Sequence, residues 1–195
     1  MKKMLIALTV VAVVTFGTIK YNLINTNDSV AQQPIDIQLE HIADNASKVE
    51  INMVSAKENP QTYCLAQNIY FEARGSTIAD QAAVADVVLN RVQAQGFPGT
   101  ICGVVKQAHL DRNGKPKRNK CQFSWYCDKN PDAPKDAKAW MSAQYIAYSM
   151  IHKNYLRGIA NGATHYHARY VNPYWKKAFN PVAQIGGHIY YKQVI

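Results

Sequence analysis

The chain has 195 residues and a formal charge of +9, from 22 Lys and Arg against 13 Asp and Glu. That length allows one domain with a real core plus additional segments, and a composition 48% hydrophobic and 10% aromatic excludes a low-complexity chain. The positive excess points to an anionic partner (nucleic acid, an anionic membrane surface or an acidic wall polymer) without choosing among them.

Residues 1–31 read as an export signal or signal anchor. Lys2 and Lys3 precede an apolar run from Met4 to Phe16 that is too short for an untilted membrane span. Ser29-Val30-Ala31 has the small-x-small pattern of a cleavage site but lies far from that run, so both a cleaved signal and a retained membrane anchor stay open. The competing reading is an apolar helix of a cytosolic fold. Residues 32–58 are polar and patchy and form a spacer. The domain is expected over 59–195.

Asn59 is a good N-cap and Pro60 suits a first helical turn, so a helix is expected to begin there. Its inner face carries Leu65, Ile69 and Glu72 or Ala73. Gly75 is expected to end it in the left-handed conformation. Thr77 and Asp80 form a capping-box-like start for a second helix. Ala83, Val84, Val87, Val88 and Leu89 make that helix apolar nearly all round, hence central and buried, and Gly96 stops it. Residues 97–110 read as a loop with a short helix or strand. Arg112, Lys115, Lys117, Arg118 and Lys120 make a basic loop. Cys121–Cys127 alternates and is aromatic, which predicts a strand or hairpin arm. A long helix opens at Asp132 and Pro134, buries Trp140, Ala143, Ala147, Met150 and Ile151, and closes at Gly158. The tail mixes extended pieces with turns at Asn172-Pro173, Asn180-Pro181 and Gly186-Gly187. The fold class is therefore α+β, mainly α, with a small β-hairpin element.

Cys64, Cys102, Cys121 and Cys127 make an even count in a chain marked for export, so two disulfides are expected. Three pairings are open. Cys121–Cys127 as a local clasp with Cys64–Cys102 as a helix-to-loop tie is the favoured one. The C-x2-C spacing of a structural zinc site is absent.

Glu72 is the leading candidate for chemistry. On a face shared with Leu65 and Ile69 it is partly desolvated, desolvation raises a carboxyl pKa, and an acid so poised can protonate a leaving oxygen. Glycoside cleavage needs such a donor. The plainer reading is a surface Glu paired with Arg74 or a nearby Lys.

The segments I-Y-F-E-A-R-G, V-A-D-V-V-L-N-R-V, F-P-G-T-I-C-G-V-V and C-Q-F-S-W-Y-C resemble the cell wall hydrolase family of the spore-cortex-lytic (SleB-type) enzymes. The tail segments A-T-H-Y-H-A-x-Y-V-N-P-Y-W and I-G-G-H-I-Y-Y match in kind and order, so the resemblance covers about Cys64 to Lys192. It implies a lysozyme-like fold and cleavage of peptidoglycan glycan strands, with the glutamate of E-A-R-G, here Glu72, as catalytic acid. The family usually has a second Glu where this chain has Ser76, which can cap the next helix instead.

No second carboxylate obviously accompanies Glu72. Asp80 and Asp86 lie on the following helix, and Asp111 and Asp128 in loops. One Glu acting first as acid and then as base, with the sugar's 6-hydroxyl attacking to give a 1,6-anhydro end, makes a lytic transglycosylase cutting beside N-acetylmuramic acid. Gln122, Phe123, Ser124 and Trp125 are expected as one wall of the cleft, with His165, Tyr166, His167 and Trp175 as further sugar contacts. Phe123 and Trp125 read equally well as core. No metal or other cofactor is expected.

The rivals are a zinc-dependent amidase or peptidase using His165, His167 and His188, a thiol enzyme using Cys64, and a non-catalytic wall-binding module. The basic loop could grip phosphates, but export argues against nucleic acid as partner. The partner expected is peptidoglycan, met by a monomer in the periplasm or cell envelope.

Overall fold

The computed structural model describes residues 58–193. The signal or anchor at 1–31, and the spacer up to residue 57, lie outside the described residues.

Helix α1 runs Pro60–Ala73. The Asn59 side chain accepts from the backbone N–H of Thr62, and Pro60 occupies the first turn, as the cap residues require. Its end differs from expectation. Gly75 is not left-handed; Arg74 is right-handed, and the N–H groups of Arg74 and Ser76 reach back to Tyr70 and Ala73. These bonds satisfy the last carbonyls without a glycine reversal. Helix α2, Ile78–Gln93, is capped by Thr77, which accepts from the Asp80 N–H. Ser76 does not cap it; its carbonyl accepts from the Gln81 side chain. Ala82 through Ala85, Val87 and Val88 are all fully buried, so α2 is the central helix its composition demanded.

A short helix α3, Ile101–Val105, leads into strand β1, Ala108–Leu110, which pairs antiparallel with β2, Pro116–Cys121. The basic segment is thus an arm of the hairpin. The expected strand at Cys121–Cys127 is instead a tight 3-10 turn, Ser124–Cys127. The Cys121–Cys127 disulfide closes a loop too short to stay extended.

Helix α4, Ala137–His152, begins later than expected, capped by Asp136. The Tyr70 hydroxyl accepts from the N–H groups of both Lys135 and Asp136, which keeps the lead-in around Pro134 out of the helix. It ends at His152, not Gly158, because Asn154 and Leu156 turn left-handed first. Ala143, Ala147 and Met150 of its stripe are buried, packed with α1 in the main core, while Trp140 and Ile151 flank it.

The tail forms a second sheet in the order β3–β5–β4, all antiparallel: β3 is His165–Ala168, β4 Phe179–Ile185 and β5 His188–Gln193. Gly186-Gly187 is the expected hairpin turn. Asn180-Pro181 is not a turn; both residues lie in β4, where the register shifts between Pro181 and Ala183. Gly186 has φ +53°, and a Cβ there would stand 2.7 Å from the Asp80 carboxylate. That close approach docks the hairpin onto the start of α2. The architecture is α+β and mainly helical, with both disulfides paired as favoured, Cys64–Cys102 and Cys121–Cys127.

Candidate active site

Glu72 is the penultimate residue of α1 and half-buried. Its Oε2 accepts from the Tyr166 hydroxyl at 3.0 Å. Burial raises its pKa above the usual carboxyl value, opposed by that hydrogen bond and by the charges of His188 and Arg91. One donor is too few to outweigh desolvation, so the balance shifts toward the protonated form relative to a free carboxyl.

Arg91, near the end of α2, is the cation beneath this acid. It is 2% exposed, donates from Nε to the Thr164 carbonyl at 2.6 Å, and lies over the rings of Phe97 and Phe123 at 5.4 and 5.3 Å. Its Nη1 is buried with no hydrogen-bond partner among the described residues. Burial pushes its pKa down to about 10, so it stays charged at neutral pH.

Tyr166 reaches Glu72 because β3 alternates. His165 and His167 leave one face of the strand and Tyr166 the other. Its ring sits against His188 at 5.2 Å and Tyr190 at 5.7 Å. Both of those are fixed by Asp80, fully buried at the start of α2. Asp80 accepts from His188 Nδ1 at 2.9 Å, the Tyr190 hydroxyl at 2.6 Å and the Gly187 N–H at 3.2 Å. Burial alone would raise its pKa, but the donors from His188, Tyr190 and Gly187 outweigh it and hold it below the usual range. The capping-box reading of Asp80 therefore captured only its backbone.

The other expected contacts divide. Gln122 and Ser124 are exposed and open to a ligand. Phe123 and Trp125 are 3% and 7% exposed and pack in the core, the second of the two readings their sequence allowed. Phe123 lies under Arg91. Trp125 stacks on Phe71 at 4.8 Å and donates to Asn68 at 3.2 Å. His165, His167 and Trp175 gather on the far face of β3 with Phe179 and Tyr191. His167 uses both nitrogens, on the Ala168 carbonyl and the Tyr191 hydroxyl. Burial, with Arg91 beside it, pushes His165 down to about 4, so it is neutral at pH 7.

This geometry removes the thiol rival and gives the zinc rival no cluster of ligands among the described residues. His188 uses Nδ1 on Asp80, and among the described residues no group of three His, Cys, Asp or Glu is placed to hold a metal. Cys64 is in a disulfide and has no thiol. Arg91, Asp80 and Tyr190 were missed as members of the site. The available signal was a charged residue inside the apolar run of α2.

The family model described as Cell Wall Hydrolase matches residues 75–191, beginning three residues after Glu72. The chain is 40% identical over 57 residues to a spore cortex-lytic enzyme of Bacillus subtilis (strain 168), covering 29% of this chain and 19% of that one. It is 38% identical over 69 residues to a spore cortex-lytic enzyme of Halalkalibacterium halodurans, covering 32% and 21%. It thus spans about a fifth of the length of these curated relatives. Among solved structures it is similar to the catalytic domain of the germination-specific lytic transglycosylase SleB from Bacillus anthracis, at 24% identity and TM-score 0.47 over 72% of this chain and 98% of that one. The catalytic domain of the Bacillus cereus SleB protein gives 22% and 0.47 over 72% and 97%.

Proposed function

The chain belongs to the cell wall hydrolase family, and on that premise we propose that it cleaves the glycan strands of peptidoglycan as a lytic transglycosylase, with Glu72 as general acid and then general base. The observation that carries this reading is a half-buried carboxyl held by a single hydroxyl donor, its pKa raised by burial above the usual carboxyl value.

Glu72 gives its proton to the bridging oxygen as the C1–O bond of N-acetylmuramic acid breaks. The positive charge developing at the sugar is met by the new carboxylate. The same sugar's 6-hydroxyl then attacks C1, and its proton returns to Glu72, closing the cycle without water. Tyr166 fixes the orientation of the carboxyl, and the buried charge of Arg91 stabilises the carboxylate between the two proton transfers.

The neighbouring carboxylates support a one-acid cycle. Asp80 is consumed by His188, Tyr190 and Gly187. Asp86 is held by Arg157 and the N–H groups of Gly158 and Ala160. Asp111 and Asp128 close turns on backbone N–H groups. The two disulfides and the family together support action in the cell envelope, reached through the N-terminal signal or anchor.

The test compares the parent with Glu72→Gln on purified sacculi. Clearing by the parent alone, with 1,6-anhydro ends in the mass spectrum, is the expected result. Equal clearing by both, or none by the parent as a wall-binding module would give, ends the catalytic reading. Reducing ends alone would replace the anhydro product with hydrolysis.

A further inference from the structure

The β1–β2 hairpin is not used by the chemistry above. It carries Arg112, Lys115, Lys117, Arg118 and Lys120, all exposed and none in an ion pair among the described residues. Asp111, the lone acid between residues 108 and 121, spends its Oδ1 on the N–H groups of Asn113 and Lys115. Asp128 feels Arg118 but binds the Asn130 N–H. The hairpin cannot splay to relieve the repulsion. Its base is tied by the Cys121–Cys127 disulfide and by the Gln122 N–H on the Gln107 carbonyl at 2.8 Å. Like charges held together on a rigid arm cost stability unless an outside anion offsets them.

The chemistry beside the cations narrows that anion. Lys120, Asn119, Gln122, Gln107 and His109 line one depression, and the Gln107 amide oxygen is buried with no hydrogen-bond partner among the described residues. Amide side chains pair with peptide N–H and C=O groups, and an ammonium pairs with a carboxylate. A phosphodiester chain offers acceptors alone and would leave the amide oxygens idle. A short chain of neighbours links the depression to the acid: Gln122 precedes Phe123, the Arg91 guanidinium lies 5.3 Å from the Phe123 ring, and the charge of Arg91 acts on Glu72.

We propose that this hairpin is a subsite for the carboxylate-bearing stem peptides of peptidoglycan, gripping the peptide that hangs from a muramic acid while the glycan lies at Glu72. The proposal rests on the glycan-strand reading above and deepens it. Exposed pairs are individually weak, but several on one arm act together and fade with salt.

The experiment is co-sedimentation of the Glu72→Gln protein with wall sacculi treated with hydrogen fluoride to remove phosphodiester polymers. Half of the sacculi have their peptide carboxylates amidated with carbodiimide and methylamine. Amidation should weaken binding about tenfold and flatten its salt dependence. Neutralising Lys115, Lys117, Arg118 and Lys120 to Gln should weaken binding to native sacculi equally and leave binding to amidated sacculi unchanged. Lys120→Gln alone, which keeps the hairpin intact, should lose about threefold. Unchanged affinity after amidation, parent-like binding by the neutralised protein, or binding seen only on walls retaining phosphodiester polymers each overturns the subsite. Cleavage by the unsubstituted chain is scored separately. Carboxylate-dependent binding without cleavage leaves the subsite and removes the enzyme; cleavage with carboxylate-independent binding does the reverse.

Discussion

Two carboxylates enter the same interior from neighbouring helices and meet opposite fates. Glu72, at the end of α1, has one donor and is driven toward its neutral form. Asp80, at the start of α2, is shut off from solvent as well, yet has His188, Tyr190 and Gly187 as donors and stays ionised. Both acids are desolvated, and the donors to the charged form set the opposite directions of their shifts. The two are also linked, because Asp80 holds the rings that clamp Tyr166, and Tyr166 holds Glu72.

The largest effect that sharpens this contrast is on activity. Glu72→Gln should reduce glycan cleavage by roughly a thousandfold, as loss of a general acid does, in a reducing-end or turbidity assay. Its effect on stability has the opposite sign. Glu72's folded pKa is raised, so ionising it costs stability as pH climbs from the ordinary carboxyl value of 4.5 through the raised value. The Gln variant should therefore melt higher than the parent at pH 7 and alike below pH 4.5. A lower melting point at pH 7 would break the comparison.

Asp80→Asn should do the reverse and cost about 3 kcal/mol, because it strands buried donors, measured by urea unfolding at pH 7. Asp80's folded pKa is lowered, so its contribution is complete above the ordinary value of 3.8 and lost as pH falls through the folded value. Parent-like stability of Asp80→Asn would show that the three donors do not matter. Of comparable size, reduction of Cys64–Cys102, which spans 38 residues, should cost about 4 kcal/mol, against about 2 for Cys121–Cys127, which spans six. Cys→Ser pairs compared by thermal melting would test that order.

A smaller effect is expected at the link. Tyr166→Phe removes the bond that lowers the pKa of Glu72, so the basic limb of the pH–rate profile should move to higher pH. His188→Gln, which also removes a charge favouring the carboxylate, should move it the same way. If His188 acts through Tyr166, the double variant should shift less than the sum. A shift to lower pH in either single variant would sink the account. The smallest effect concerns His165, whose folded pKa of about 4 lies below the ordinary 6.5. Both states are neutral above 6.5, so stability should fall as pH drops from there toward 4, and His165→Gln should blunt that fall.

Much of this was legible in the chain itself. The caps at Asn59 and Thr77, the buried run of α2 and the apolar face bearing Glu72 rest on local spacing and on cap chemistry, which act within a few residues. The favoured cysteine pairing also stands. Period and propensity failed where a distant group intervened. The Tyr70 hydroxyl delays α4, a disulfide tightens the segment read as a strand, and pairing with β5 turns Asn180-Pro181 from a turn into strand. Phe123 and Trp125 were ambiguous because an aromatic ring satisfies a core and a sugar equally well; only their burial separates the two.

What the sequence determined, then, is which acid sits at the edge of the core, because helical periodicity is a local property. What only the tertiary structure decided is its partners. Tyr166 lies 94 residues away and His188 is 108 residues from Asp80, and no local rule reports which strand face meets which helix end. That meeting sets the donor count at each acid, and with it which carboxyl pKa rises and which falls.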